Sequence, residues 1–271
     1  MLHRFCAKSL RNPTPSASPY PVGYQNKELA ENANSFVAMT LHPIGVVGAD
    51  VTLSQFVPTD GEEGWEFDTD YLFTIQPNGC ADKMYGYVSP YWAEALEDKT
   101  LKGWHFYSNL QGEEYYGERC DNVKIPFGTG VGILTMMSNV SVTFAGEVLA
   151  DDYGVPLNEN ANTFTGIVCP ADIKLGDLTA TDGEEGWEFD TDFLFTIKPN
   201  GCADQTYGWV SPYWAEALED KTLEGWHLYS NLQSEEYYGE RCDNVPLAAG
   251  QAIGVCTMMS GVELVVPSAL P

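Results

Sequence analysis

An acidic stretch, TDGEEGWEFDTD, occupies Thr59–Asp70 and returns unchanged at Thr181–Asp192. Its second half continues as GWEFDTDYLFTI at Gly64–Ile75, where mostly apolar residues alternate with mostly polar ones. A period of two is typical of a half-buried β-strand with its acids on the wet face. Asp residues also favour turns, so the segment is one long strand or a hairpin bent at Asp68–Asp70. The usual strand length of about 5–6 residues favours the hairpin.

The acidic stretch belongs to a long internal repeat. Thr59–Val123 aligns with Thr181–Val245 without a gap, and 57 of these 65 positions are identical. Upstream, ENANSFVAMT at Glu31–Thr40 matches ENANTFTGIV at Glu159–Val168. The repeating unit is domain-sized, whereas solenoid repeats are about 20–50 residues long. The chain is therefore two similar domains in tandem or two halves of one pseudo-symmetric domain.

Short strand-like runs separated by turn signals predict an all-β fold. PNG at Pro77–Gly79 is a turn, and YGYVSPYW at Tyr85–Trp92 reads as a strand that the proline ends. AEALED at Ala93–Asp98 has helix formers for one or two turns, and GWHFYSNL at Gly103–Leu110 is strand-like. This spacing of strands and turns favours sandwich or barrel architectures.

We therefore expect two tandem β-sandwich or small-barrel domains with at most short helical turns. Their predicted boundaries are 31–150 for the first β repeat and 151–271 for the second. Residues 1–30 are expected to form a basic tail rich in Pro and Ser. No apolar stretch follows the first basic residues, so an ordinary signal peptide is not predicted.

The charge of the chain limits its partners. Thirty-nine acidic residues against thirteen Lys and Arg give a formal net charge of −26. Such a surface repels phosphate backbones, so nucleic-acid binding is not expected. No apolar run approaches the roughly 20 residues of a membrane-spanning helix, so no membrane span is expected. Cations and basic partners remain compatible with this charge.

The repeated carboxylates suggest a metal site only if the chain bends. Calcium takes about 6–8 oxygen ligands, which a straight strand cannot bring to one ion. The candidate calcium ligands at a bend are Asp60, Glu62, Asp68 and Asp70 in the first copy, and Asp182, Glu184, Asp190 and Asp192 in the second. A catalytic role for acids such as Glu66 would need a pKa raised by burial, and a strand would leave them in water. No catalytic residue and no resident cofactor are therefore predicted.

Cysteines recur at equivalent positions of the repeat. Cys80 and Cys120 are 40 residues apart, as are Cys202 and Cys242. A disulfide within each repeat is the prediction for an oxidising compartment. No CxxC spacing occurs, so a common zinc site is not predicted.

Aromatic residues recur as well, and exposed rings could stack on sugars or contact peptides. The candidate ligand-binding residues are Trp92, Trp104, Tyr115 and Tyr116, with Trp214, Trp226, Tyr237 and Tyr238 in the second copy. Packing in the core is the alternative role for these side chains.

Several segments resemble a group of uncharacterised proteins. GVPLNENANTFTGIVCPADIKLGDL at Gly154–Leu178, VPLAAGQAIGV at Val245–Val255 and SVTFAGEV at Ser141–Val148 are similar to elements of β-rich, two-repeat exported proteins predicted in Verrucomicrobiota–Lentisphaerota genomes. The resemblance implies an extracellular or cell-surface location. It carries no functional residues across.

The sequence favours a non-enzymatic structural or adhesive surface protein. Duplication without catalytic motifs, an acidic surface and many aromatic β segments motivate this hypothesis. The expected partner is a protein, either a second copy in a self-assembling array or another surface protein. The alternative is a carbohydrate- or peptide-binding module that uses the repeated Trp and Tyr residues.

Overall fold

A computed structural model describes residues 22–44, 49–112, 117–233 and 239–268. The fold is mainly β, as the sequence predicts. The first repeat contributes strands β1 (Val22–Glu28), β2 (Ala33–Val37), β3 (Val51–Thr52), β4 (Val57–Pro58), β5 (Tyr71–Ile75), β6 (Ala81–Val88), β7 (Gly103–Phe106), β8 (Lys124–Ile125), β9 (Val131–Thr135) and β10 (Ser141–Glu147). The second contributes β11 (Tyr153–Pro156), β12 (Ala161–Gly166), β13 (Ile173–Lys174), β14 (Thr179–Ala180), β15 (Phe193–Ile197), β16 (Ala203–Val210), β17 (Gly225–Leu228), β18 (Pro246–Leu247), β19 (Ala252–Thr257) and β20 (Glu263–Val266).

Helical segments are short in both repeats. The α-helices are α1 (Pro90–Ala95), α2 (Tyr107–Leu110), α3 (Pro212–Ala217) and α4 (Tyr229–Leu232). Single 3₁₀ turns lie at Leu53–Gln55, Lys99–Leu101, Leu175–Asp177 and Lys221–Leu223. None of the helices in the described part of the chain is long and apolar enough to cross a membrane.

The two repeats form equivalent antiparallel sheets. A five-stranded sheet has the order β2-β9-β5-β6-β7 in the first repeat and β12-β19-β15-β16-β17 in the second. A three-stranded sheet has the order β1-β10-β4 or β11-β20-β14. The pairs β3-β8 and β13-β18 complete the set. The duplication in sequence is therefore also a duplication in topology.

The acidic stretch is a loop that leads into a strand. Residues 61–64 form a turn, and the amide of Asp70 donates to the carbonyl of Glu66 (2.8 Å) across a second turn. Strand β5 begins only at Tyr71. The chain therefore bends at the predicted place, but the predicted strand before the bend is wrong. The alternation of apolar and polar residues at 64–70 does not come from a strand. In this loop, the buried side chain of Trp65 is the main apolar anchor.

One hydrophobic core cluster contains residues of both repeats. In the first repeat, Trp65 packs edge-on against Trp104 with ring centroids 5.7 Å apart, and both side chains are fully buried. Trp187 and Trp226 repeat this pair at 5.6 Å. Large aromatic side chains dominate core energetics because each buries about 150–250 Å². These pairs anchor the equivalent sheets.

The repeats contact each other reciprocally. Val37 of the first repeat bridges to Gln251 of the second, and the equivalent residue Thr165 bridges to Thr129. A Cβ at Gly79 would contact Phe164 at 3.8 Å, and one at Gly201 would contact the equivalent Phe36 at 3.7 Å. Such mutual contacts between the same surfaces are isologous, as in a two-fold dimer. The core cluster includes residues of both repeats, so it does not divide the chain into two separate domains. The division into two tandem domains stays a prediction.

The predicted tail at 1–30 overlaps an ordered strand. All seven residues of β1, Val22–Glu28, pair antiparallel with β10. The first β repeat therefore begins before residue 31. The strand has few apolar residues, and its pairing depends on β10, which lies more than a hundred residues away. Residues 1–21 lie outside the described part of the chain.

Candidate functional site

Equivalent clefts open on the two repeats, where a 3₁₀ turn faces the start of the last strand of the five-stranded sheet. The first cleft has a volume of about 560 Å³ and is lined by Ser54, Tyr87, Lys102, Gly103, Arg119, Asp121 and Asn122. The second cleft has about 380 Å³ and is lined by Lys174, Gly176, Asp177, Leu178, Thr179, Trp209, Pro212, Glu224, Gly225, Trp226, Arg241, Asp243 and Asn244. Binding pockets for small ligands usually fall between about 300 and 1,000 Å³.

An aspartate fixes the base of the first cleft. One carboxylate oxygen of Asp121 accepts from the Trp104 amide (2.9 Å), and its main-chain carbonyl accepts from the Ser54 amide (3.1 Å). The indole of Trp104 donates to the carbonyl of Phe56 (3.1 Å). These bonds join β7 and the 3₁₀ turn to the loop between α2 and β8. These hydrogen bonds attach the lining segments to buried residues, so the fold itself sets the shape of the cleft.

The same aspartate holds an arginine across the cleft. The guanidinium of Arg119 forms an ion pair with Asp121, and 52% of the arginine side chain remains exposed. Gly103 makes room for this pair: its φ is +134°, and a Cβ there would lie 2.7 Å from both side chains. Arginine carries five N–H donors, so donors remain for a ligand. Arg241, Asp243 and Gly225 repeat the arrangement in the second cleft.

Tyr87, which is 8% exposed, lies on the wall of the first cleft with its phenol near Asp121 and Arg119. Burial raises the pKa of this phenol, as do the carboxylates of Asp60 and Asp121, while Arg119 lowers it. The side chain therefore stays neutral and can donate a hydrogen bond at physiological pH. The equivalent residue of the second cleft is Trp209.

The two clefts differ in the net charge of their lining residues. The first has Lys102 and Arg119 against Asp121. In the second, Glu224 replaces the lysine, and Lys174, Asp177, Arg241 and Asp243 complete the charged lining. The formal sum is 2 − 1 = +1 for the first cleft and 2 − 3 = −1 for the second.

The predicted ligand-binding tryptophans have other roles. Trp104 and Trp226 are 0% and 1% exposed, so neither can present a ring to a ligand, and that part of the prediction is wrong. Trp92 and Trp214 are half-buried, and their indoles donate to the carbonyls of Trp65 (3.0 Å) and Trp187 (2.8 Å). Core packing, the alternative, accounts for these side chains. Tyr115, Tyr116, Tyr237 and Tyr238 lie outside the described residues.

The acidic stretch divides into structural and exposed carboxylates. Asp70 is fully buried and accepts from the amides of Glu66 (3.0 Å) and Met136 (2.8 Å). Asp60 accepts from the amides of Gly61 (3.0 Å) and Tyr91 (2.9 Å). The expectation that all the acids face water is therefore wrong for Asp70.

The remaining predicted calcium ligands do not converge. Asp68 and Glu62 are exposed, and the second copy has the same arrangement at Asp182, Glu184, Asp190 and Asp192. Within residues 22–44, 49–112, 117–233 and 239–268, no three His, Cys, Asp or Glu side chains are grouped closely enough to hold a metal ion. Calcium binding stays a prediction without a convergent ligand set behind it.

The predicted disulfides do not form. Cys80 is exposed and directly precedes β6. Cys120 is buried on another segment, beside Tyr85, which lies five residues beyond Cys80 in β6. Five residues of strand span roughly 16 Å, and a disulfide needs Cα atoms within about 7 Å. Cys202 and Cys242 are placed in the same way around Tyr207 and are also free thiols.

Sequence reasoning missed the residues that line the clefts, although a signal was present. Eight of the 65 aligned positions differ between the repeats. Two of these differences, Tyr87 against Trp209 and Lys102 against Glu224, fall on the same cleft. These two substitutions change the lining of a cleft that keeps its glycine, arginine and aspartate in both repeats.

Comparisons with known proteins give no relative. No family model matches the sequence, and no curated protein or solved structure is significantly similar to the chain.

Proposed function

We propose that this chain is a non-enzymatic adhesive surface protein whose two β repeats each carry a ligand-binding cleft. The observation that supports this proposal is the recurrence of the cleft with its Arg–Asp pair, at Arg119 and Asp121 and again at Arg241 and Asp243. Two linked clefts let one chain contact a displayed surface at two points, and the second contact then forms at a high effective concentration. Adhesion uses this property, whereas a single catalytic centre does not need it.

The lining of the clefts favours binding over catalysis. The charged groups are an ion pair and exposed side chains, and none of the described lining residues forms a nucleophile–base pair. The buried His105 and His227 instead contact the carbonyls of Leu101 (2.7 Å) and Leu223 (2.8 Å), which end the 3₁₀ turns before β7 and β17. We therefore propose no reaction for this protein.

We propose that the repeats are sandwich-like or barrel-like domains sharing one core, displayed outside the cell or at its surface. The resemblance to exported two-repeat proteins supports this location. Self-assembly would need a surface other than the face between the repeats, because an isologous contact is closed.

An array of immobilised glycans and peptides tests the proposal. Wild-type protein should bind a limited set of ligands. A double variant, Arg119→Ala with Arg241→Ala, should lose that binding. The matched control is Lys99→Ala with Lys221→Ala, which removes two exposed cations at equivalent positions outside both clefts. Equal loss in both double variants, or no bound ligand in any class, would overturn the proposal.

A further inference from the structure

The two clefts have diverged in charge while keeping one framework. Both retain the glycine, the arginine and the aspartate that shape the site. Lys102 lies on the wall of the first cleft, where Glu224 lies on the wall of the second. Both side chains are exposed, so the exchange changes the chemistry of the cleft without disturbing the core.

The charged donors of the first cleft outnumber its one carboxylate. Lys102 makes no ion pair with any residue in the described part of the chain, so its ammonium is available. Arg119 uses one edge of its guanidinium for Asp121 and leaves the rest exposed. The neutral hydroxyl of Tyr87 adds a further donor. Two cations and a hydroxyl around one space are suited to a carboxylate, which they would hold by charge-assisted hydrogen bonds.

The charge of the whole molecule makes this cleft unusual. The chain carries a net charge of −26, and only 13 of its residues are Lys or Arg. An excess cation at a pre-formed cleft therefore stands out against a surface that repels anions. The aspartate neutralises one of the two cations, and Lys102 supplies the excess.

Size and polarity favour a sugar over a peptide strand. The first cleft holds about 560 Å³ and has polar side chains from Ser54 and Asn122 beside the charged groups. A hydroxyl-rich ring with one carboxylate would satisfy these donors and acceptors together. An extended peptide that adds a strand or buries apolar side chains would need an open sheet edge or an apolar groove, and this lining provides neither.

We propose that the first cleft binds the carboxylate of a uronic acid unit and that the second cleft rejects it. This inference rests on the proposed binding function and names its ligand class. Glu224 opposes a carboxylate in the second cleft, and Trp209 replaces the tyrosine hydroxyl there. The chain then carries one acidic-sugar site and one site of different specificity.

Isothermal titration with glucuronate, galacturonate, glucose and galactose tests this assignment. Wild-type protein should bind one equivalent of a uronate, and raising the salt concentration should weaken that binding. The neutral sugars should bind at least about tenfold more weakly, because they lack the charged group. Equal affinity for uronate and neutral sugar, or no effect of salt, would overturn the inference.

Charge exchange between the clefts provides the matched variants. Lys102→Glu should weaken uronate binding at least about tenfold, while Glu224→Lys should add a second equivalent. Uronate binding unchanged in Lys102→Glu would overturn the inference. Thermal melting of both variants checks that the fold is intact, which the exposure of both side chains predicts.

A parallel titration with acetate and a hexaglutamate peptide separates the sources of the carboxylate. Tighter binding of the peptide than of either uronate would overturn the sugar assignment, and so would acetate that binds as tightly as uronate. If a neutral sugar binds both clefts equally, the inference fails while the proposed binding function stands. If no array ligand and no titrated ligand binds either cleft, the proposed function fails as well.

Discussion

Asp70 illustrates how one residue type takes two roles within a few positions. Its carboxylate is buried and receives hydrogen bonds from two main-chain amides and from the hydroxyl of Thr135 (3.1 Å). Asp68, two residues earlier, is exposed, and its described contacts are made by its carbonyl, which accepts from Tyr107 (2.9 Å). The first residue joins the acidic loop to β9, and the second belongs to the wet surface.

Replacement of Asp70 by asparagine should destabilise the protein. Both carboxylate oxygens accept from amides, so an NH₂ group at either position would face an N–H donor. We expect a loss of about 1–3 kcal/mol in the free energy of unfolding, measured by denaturant titration. Asp68→Asn is the matched control and should change stability by less than about 0.5 kcal/mol. Equal effects of the two substitutions would contradict a structural role for Asp70.

The same residue should make stability depend on pH. Burial raises the pKa of the Asp70 carboxyl above its ordinary value of 3.8, even though its hydrogen bonds lower it. The folded state therefore binds the proton more tightly than the unfolded chain. The contribution to stability is complete below pH 3.8 and is lost as the pH rises through the raised value.

Comparison of wild type with Asp70→Asn isolates this carboxyl together with its effect on Glu66, whose pKa is raised by burial and by the charges of Asp68, Asp70 and Glu62. The stability advantage of the wild type should narrow as the pH is raised from about 3 to 7. Asp192, whose pKa burial also raises, should behave in the same way. An advantage that widens with pH would show that the hydrogen bonds outweigh burial.

At the scale of elements, the start of β7 depends on a glycine. Gly103 has a φ of +134°, and a Cβ there would lie 2.7 Å from the side chains of Arg119 and Asp121. Gly61 also has a positive φ, +115°, but nothing lies within 4 Å of its Cβ position. A side chain at either glycine would strain the backbone, but only at Gly103 would it also collide with neighbouring atoms. Comparing the two positions therefore separates the cost of strain from the cost of the collision.

Gly103→Ala should therefore be more destabilising than Gly61→Ala. We expect about 1 kcal/mol for the strain alone and at least about 1 kcal/mol more where the side chain also collides. Thermal melting of both variants checks the difference. Similar melting temperatures would show that the Arg–Asp pair moves aside without cost.

The elements also explain the state of the cysteines. Cys80 and Cys202 lie in exposed turns, whereas Cys120 and Cys169 are buried. Burial raises the pKa of the Cys120 and Cys169 thiols, and a less ionised thiol reacts more slowly. Brief treatment with iodoacetamide should label the exposed pair first, as mass spectrometry would show. A cross-linked peptide containing Cys80 and Cys120 would contradict the free thiols.

At the scale of the whole molecule, the contact between the repeats is the feature that two separate domains would lack. Gly166 of β12 faces Ala38 across this contact so closely that a Cβ on the glycine would overlap that of the alanine. The carbonyl of Gln251 would lie 3.0 Å from the same Cβ. The contact therefore has no room for a larger residue.

Gly166→Ala should destabilise the molecule by about 1–3 kcal/mol because the contact would be overpacked. Adding Ala38→Gly should recover part of this loss, since it removes the colliding methyl group. A double-mutant cycle should give a coupling of at least about 0.5 kcal/mol. Additive effects would mean that the repeats adjust independently.

The sequence by itself determined the mainly β character, the duplication and the turn at residues 77–79. Each of these three features follows from a local sequence pattern or from identity between segments of the chain, and none of them depends on a contact between distant residues. Pro90 illustrates the limit. The sequence correctly ended β6 just before this proline, but it placed the helical turns at Ala93–Asp98, whereas α1 begins at Pro90 because the Ser89 side chain caps the Trp92 amide (3.3 Å).

Only the tertiary structure decided which repeated residues form a site. Pairing with β10 makes a strand of the polar segment 22–28, and the meeting of β7 with the 3₁₀ turn brings Ser54 to Lys102 and Arg119. Repeated tryptophans such as Trp104 are buried in the core, because burying so large an apolar ring stabilises the fold. A buried ring cannot contact a ligand. A local pattern fixes what a residue can do, whereas distant partners decide whether it is exposed to do it.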